Sequence, residues 1–138
     1  MIFTTYFAKL KSLPSNTVPI SICGKAPDWY KGLQYKKLAP KYQFFMEWEK
    51  NHDNDYYIRC FKEQVLDATS VDMVLNDIWN LLPAEVQAYY QLFNCPFWAN
   101  PDWHILLVCY EKPTDFCHRH LVAEWMKQHG IQVEEWKC

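Results

Sequence analysis

The feature that most constrains this chain is the nearly continuous apolar run His104-Ile105-Leu106-Leu107-Val108-Cys109-Tyr110, together with the stretch C-terminal to it. A strand with no polar alternation is buried on both faces, as the centre of a parallel sheet is. A helical period then starts at about Asp115 and stops at Gly130, where a left-handed cap residue belongs. Ile131-Gln132-Val133-Glu134-Glu135-Trp136 alternates as a closing strand. Strand, helix and strand in roughly thirty residues make a βαβ unit, whose parallel strands imply a Rossmann-like layered sheet.

The rest of the chain fits around that unit. Residues 2–7 and 18–22 are rich in β-branched and aromatic side chains and read as strands. Residues 23–40 carry Pro27, Gly32 and Pro40 and read as a long loop, of the kind that often bears function. Helices are expected over 41–51, 55–68 and 71–82, the last capped by Ser70, with Pro83 opening a further one that runs to Phe93. Residues 94–101, with Pro96 and Pro101, break the pattern as a loop or lid. At 138 residues, half of them hydrophobic and 17% aromatic, the chain has material for one aromatic-rich core. The expectation is a single three-layer α/β domain over 1–138, with a small, mostly parallel central sheet and a helical middle segment.

A net charge of −2 argues against the broad positive field that drives nonspecific binding to nucleic acid or membrane surfaces. The one basic run is Lys25, Lys31, Lys36, Lys37 and Lys41, with only Asp28 among them. It reads as a solvated face, or as a local contact for a phosphate-bearing partner. Met1-Ile2-Phe3-Thr4-Thr5-Tyr6 lacks the basic start and sustained apolar stretch of a leader, and no run approaches a membrane span. The expected location is cytoplasmic. Cys23, Cys60, Cys95, Cys109, Cys117 and Cys138 should then be mostly free thiols rather than a disulfide framework.

In open parallel sheets, ligands bind beyond the carboxyl ends of the strands, where the chain turns into the next helix. Residues 109–119 occupy that place. If Thr114 or Asp115 caps the helix, its first-turn N–H groups form an anion site, which Arg119, one of only two arginines, would strengthen. At about 100° per residue, Leu121, Val122, Trp125 and Met126 define the buried face, with His118 at its N-terminal middle. Cys117 and Arg119 flank it and are expected at the mouth of a cleft, whereas His120 points to solvent. Cys117 at a helix N-terminus should have a lowered pKa. Cys109 reads equally as a packed thiol and as a site residue. Glu111 could pair with Arg119, orient a ligand, or act as acid or base.

Competing motifs are absent. With only Gly24, Gly32 and Gly130, the chain holds neither a GxGxxG turn nor a Walker loop. Cys109 and Cys117 do not make a CxxC pair. A metal site drawing on Cys109, Cys117, His118 and Cys23 has too little specificity in its spacing to assign, so no metal and no cofactor is assigned.

The segments Leu106-Leu107-Val108-Cys109-Tyr110-Glu111 and Cys117-His118-Arg119-His120-Leu121-Val122-Ala123-Glu124-Trp125 together resemble the C-terminal signature of the domain-of-unknown-function 488 family. Upstream, Tyr6-Phe7-Ala8-Lys9, Pro19-Ile20-Ser21-Ile22, Ala26-Pro27-Asp28-Trp29-Tyr30 and Leu38-Ala39-Pro40 resemble its N-terminal half, so the likeness is nearly full length. The residues that carry the signature are Cys109, Glu111, Cys117, His118 and Arg119. The resemblance implies functional weight for the two cysteines, and a place among small bacterial or phage proteins of unassigned activity. Many relatives place an arginine after the second strand, where this chain has Lys25, a charge without a bidentate fork.

Three functions are expected. The first is a site for a small anionic or nucleotide-like ligand, with Arg119, Cys109 and Lys25 in contact with it and Trp29, Tyr30 or Trp98 stacking on a base. Cys117, His118 and Glu111 would supply any chemistry. The second is a thiol-dependent enzyme using Cys117 and His118. The third is a non-catalytic interaction or ligand-sequestering module.

Overall fold

Along the central strand the side chains alternate between two apolar layers. Ile105 and Leu107 face one, Leu106 and Val108 the other, and all four are fully buried. The computed structural model, which describes residues 1–137, places this strand at the centre of a five-stranded sheet; Cys138 lies outside the described residues. In chain order the strands are β1 (Ile2–Tyr6), β2 (Thr17–Ser21), β3 (Leu33–Gln34), β4 (His104–Cys109) and β5 (Val133–Glu135). In space they run β3-β2-β4-β1-β5, and every pair is parallel. The fold is Rossmann-like α/β. A two-residue β3 at one edge was hidden in the long loop, because so short a strand leaves no periodicity to read.

The helices are α1 (Tyr42–Asn51), α2 (Asn54–Phe61), α3 (Val71–Leu81), α4 (Ala84–Leu92) and α5 (His118–Gln128). Ser70 caps α3 by accepting from the Met73 N–H at 3.2 Å, as its position predicts. Beyond α2 the chain continues through a π-helical turn, Lys62–Leu66, which turns Val65 and Leu66 into the core and accounts for the single longer helix expected there. Residues 94–101 form an anchored loop rather than a lid, with Phe97 and Asn100 buried.

The two faces of the sheet differ. Ile2, Val18, Ile20, Ile105, Leu107 and Val133 pack against the helical layer. The opposite face, including Leu106 and Val108, is covered by Phe7 of a 3-10 turn (Phe7–Ser12), Tyr30 and Trp136. The third layer is therefore thin and contains no α-helix among the described residues. Tyr30 is its plug: its hydroxyl donates to the Leu33 carbonyl at 2.6 Å, and a Cβ at position 32 would lie 2.6 Å from that hydroxyl oxygen and 2.7 Å from the ring, which requires Gly32. Among the described residues no helix is long and apolar enough to cross a membrane.

Candidate functional site

β2 and β4 are neighbours, with Ser21 opposite Val108, and the Ile22 N–H continues the pairing to the Val108 carbonyl at 3.0 Å. Their carboxyl ends thus deliver Cys23 and Cys109 side by side. The chain leaving β4 passes through a turn closed by Asp115 N–H to Lys112 carbonyl (3.0 Å) and enters α5 at His118, with Cys117 as N-cap. The helix starts later than about 115 because Pro113 and Thr114 lie in that turn, so neither Thr114 nor Asp115 caps it. No side chain caps it at all.

The result is a cleft of about 640 Å³ at the ends of β2 and β4. Its walls are Tyr42, Phe45 and Trp48 of α1, Tyr57 of α2, and Phe116; Lys25, Glu49 and Glu111 also line it. Cys109, Cys117 and His118 are its buried floor. Trp48 and Phe116 lie 5.6 Å apart at 31°, and Tyr57 meets Phe116 edge-on at 5.0 Å.

The floor is tightly organised. His118 Nε2 lies 2.8 Å from the Ile22 carbonyl. A carbonyl can only accept, so Nε2 carries the proton, and in the neutral ring Nδ1 keeps its lone pair. That lone pair faces the thiols, with Cys109 Sγ at 3.5 Å. The two sulfurs and one ring nitrogen all lie within 4.8 Å of one another. Cys23 is turned to the Val108 carbonyl at 3.8 Å and stays outside that group.

The thiols are not the thiolates that a helix N-terminus predicts. Contact with Cys109, then burial, pushes the Cys117 thiol up, more than offsetting the neighbouring His118. At Cys109 the contact with Cys117 favours the thiolate, but Cys23 and burial outweigh it and its pKa is raised too. Burial among these thiols also raises the Tyr57 phenol. The expected lowered pKa of Cys117 fails because the neighbouring Cys109 thiol, and then burial, penalise the charged form.

Arg119 is absent from the cleft mouth. It is fully buried, and its Nε and Nη2 donate to the two Glu135 carboxylate oxygens, both at 3.1 Å, while Nη1 donates to the Glu111 carbonyl at 2.6 Å. Thr4 donates its hydroxyl to the same carboxylate at 2.8 Å. Burial weakens the hold of Arg119 on its proton, but Glu135 more than restores it and the pKa is raised. Glu111 contributes its backbone, not its exposed carboxylate. The buried face of α5 is centred on Arg119, Val122 and Met126, so Leu121 and Trp125 are only half buried and His120 turns partly inward with Nε2 unpartnered.

Of the other expected contacts, Lys25 lines the cleft but Trp29 and Tyr30 do not. Both pack with Phe7 on the thin face of the sheet. Trp98 lines a separate depression of about 610 Å³ with Trp79 and Tyr90. Lys37 pairs with Asp77 at 3.2 Å, away from the cleft, so the basic run does not act as one surface. The aromatic walls and Glu135 escaped sequence reasoning. Phe45 and Trp48 carried a helical-stripe signal that reads as core, and Glu135 looked like the polar half of an alternating strand.

Comparison with family models, with curated proteins and with solved structures found no match to this chain.

Proposed function

We propose that the chain binds a small, planar, nucleotide-like ligand in the cleft between α1 and the carboxyl ends of β2 and β4. The observation that carries this reading is the aromatic slot: Phe45, Trp48, Tyr57 and Phe116 wall a space of about 640 Å³ whose floor is polar and buried. A base has a π-face for such a slot, and aromatic stacking is worth about 1–3 kcal/mol per base. Pockets of this size, mostly apolar with a few convergent polar groups, are where small ligands bind. Lys25 at the cleft and the uncapped first turn of α5 supply the attraction for an anionic end. Arg119 drops out of that role, since its guanidinium is held by Glu135.

The likeness to the domain-of-unknown-function 488 family is compatible with this reading, because its signature residues Cys109, Cys117 and His118 form the floor. A thiol-dependent reaction is the second reading, favoured by one contact, the His118 Nδ1 lone pair on Cys109 Sγ at 3.5 Å. It moves the thiol paired with a base from Cys117 to Cys109.

Calorimetric titration of chelator-treated protein with nucleosides and nucleotides tests the ligand reading. Trp48→Ala should weaken the binder found by roughly tenfold or more, within the range of one stacking contact. Lys25→Glu should weaken phosphorylated members more than their nucleosides, and Trp98→Ala should change nothing. If no member of the panel binds, or if Trp48→Ala leaves affinity intact, the reading is wrong.

A further inference from the structure

We infer that Cys109, Cys117 and His118 form a binding site for one thiophilic metal ion of the zinc class, with its fourth coordination position open to the cleft. The proposal goes beyond the ligand reading, since it needs only these three side chains.

Three observations carry it. First, the donor atoms are already gathered: both sulfurs and one ring nitrogen lie within 4.8 Å of one another, and all three residues are buried. Zinc takes sulfur at about 2.3 Å and nitrogen at about 2.0–2.1 Å in a tetrahedron, which makes the sulfur–nitrogen edge about 3.5 Å and the sulfur–sulfur edge about 3.8 Å. Cys109 Sγ and His118 Nδ1 are 3.5 Å apart, so that edge is in place without any movement.

Second, the imidazole is set up as a ligand. A metal-bound histidine almost always donates its other ring N–H to a carbonyl or carboxylate, which fixes the tautomer and the ring's direction. His118 Nε2 does this to the Ile22 carbonyl at 2.8 Å, one residue beyond β2, where the Ile22 N–H is itself tied to the Val108 carbonyl of β4. Third, the charge balances. The ion displaces one proton from each thiol to solvent, and two thiolates with a neutral imidazole leave no net charge in a buried floor.

The ligand set also fixes the kind of site. Four protein ligands close a structural zinc site, whereas two thiolates and one imidazole leave a position for water or substrate, as catalytic zinc does. Among the described residues Cys23 is the only further thiol lining the cleft, and it is held against the Val108 carbonyl. The remaining position therefore opens to the cleft that all three ligands line, where an oxygen or nitrogen of a bound molecule would complete the shell.

Cobalt(II) titration of the reduced protein without organic ligand tests this. The expected result is one ion per chain, with sulfur-to-cobalt charge-transfer absorption, tetrahedral d–d bands, and displacement by zinc. The bands should be lost in Cys109→Ser, Cys117→Ser and His118→Ala, and kept in Cys23→Ser and Cys60→Ser. Added imidazole should shift the d–d bands through the open position. Absence of bands in folded wild type, their survival in the Cys109→Ser/Cys117→Ser double variant, their loss in Cys23→Ser, or indifference to imidazole would overturn the proposal. Should a ligand variant fail to fold, alkylation of wild type read by mass spectrometry decides: cobalt should protect Cys109 and Cys117 but not Cys95, and equal labelling with and without cobalt refutes the site. Because metal alone is the probe, failure here is separate from failure to bind a nucleotide.

Discussion

His118 and Arg119 are neighbours in the chain and opposites in the fold. His118 spends one nitrogen on a backbone carbonyl and leaves the other, with two thiols, facing a cleft. Arg119, one residue on, has no exposure at all and joins α5 to β5 through Glu135, to the β4–α5 loop through the Glu111 carbonyl, and through the shared carboxylate to Thr4 of β1. One side of the helix start is a site with capacity to spare. The other is a strut whose main polar contacts are taken. Adjacent residues in a conspicuous triplet thus carry different loads, and the partner each one finds decides which.

The sharpest way to break the comparison is at the strut. Arg119→Ala leaves the Glu135 carboxylate, only 19% exposed, without its cation, and the Glu111 carbonyl without a donor. Removing one partner of a buried ion pair costs about 3–5 kcal/mol, a large part of a domain's stability. Urea unfolding should show that loss, while the remaining folded protein keeps its cobalt spectrum. A loss below about 1 kcal/mol, the worth of a surface pair, would place Arg119 outside the structural role given to it.

The floor predicts a pH effect of definite sign. With a chelator present, the folded chain keeps Cys109 and Cys117 protonated where an unfolded chain has begun to lose those protons, near the ordinary thiol value of 9. The native state then binds more protons than the unfolded state, so stability is intact below that pH and falls above it, by up to about 1.4 kcal/mol per pH unit for each thiol. Midpoints of urea unfolding between pH 7 and 10 should decline accordingly, and less steeply in Cys117→Ser. A floor holding low-pKa thiolates would instead gain stability as pH rises from acid to neutral and show no decline above 9.

Much of this was legible in the chain. β4 announced itself because a strand buried on both faces has no polar alternation to hide behind, and Gly130 marked the end of α5 by the left-handed backbone it adopts (φ 83°). Ser70 did the same for the start of α3. The place of the candidate cleft, at the carboxyl end of β4 and the start of α5, was read from those two segments alone. What could not be read was direction. A wheel gives angles about a helix axis but not the angle at which the helix meets the sheet, and the small rotation that puts Arg119 rather than His118 at the centre of the buried face sends their side chains to different destinations. The aromatic walls were hidden for a related reason: a Trp48 that faces a cleft and a Trp48 that faces a core obey the same helical period.

The smallest expected effect is also the most specific to that question of direction. A glutamate two residues beyond a strand and eight before an arginine invites an ion pair, and Glu111→Gln would then disturb Arg119. In the fold it is the Glu111 carbonyl that accepts from Nη1, at 2.6 Å, and the carboxylate is exposed. A glutamine keeps that carbonyl in place, so Glu111→Gln should change stability by less than about 0.5 kcal/mol, as surface substitutions do. Glu135→Gln removes the charge that Arg119 needs and should cost several times more. Measured together by urea unfolding, the two variants tell which acid holds the strut: equal losses, or a larger loss at position 111, would put the guanidinium back at the cleft and return Arg119 to the ligand site.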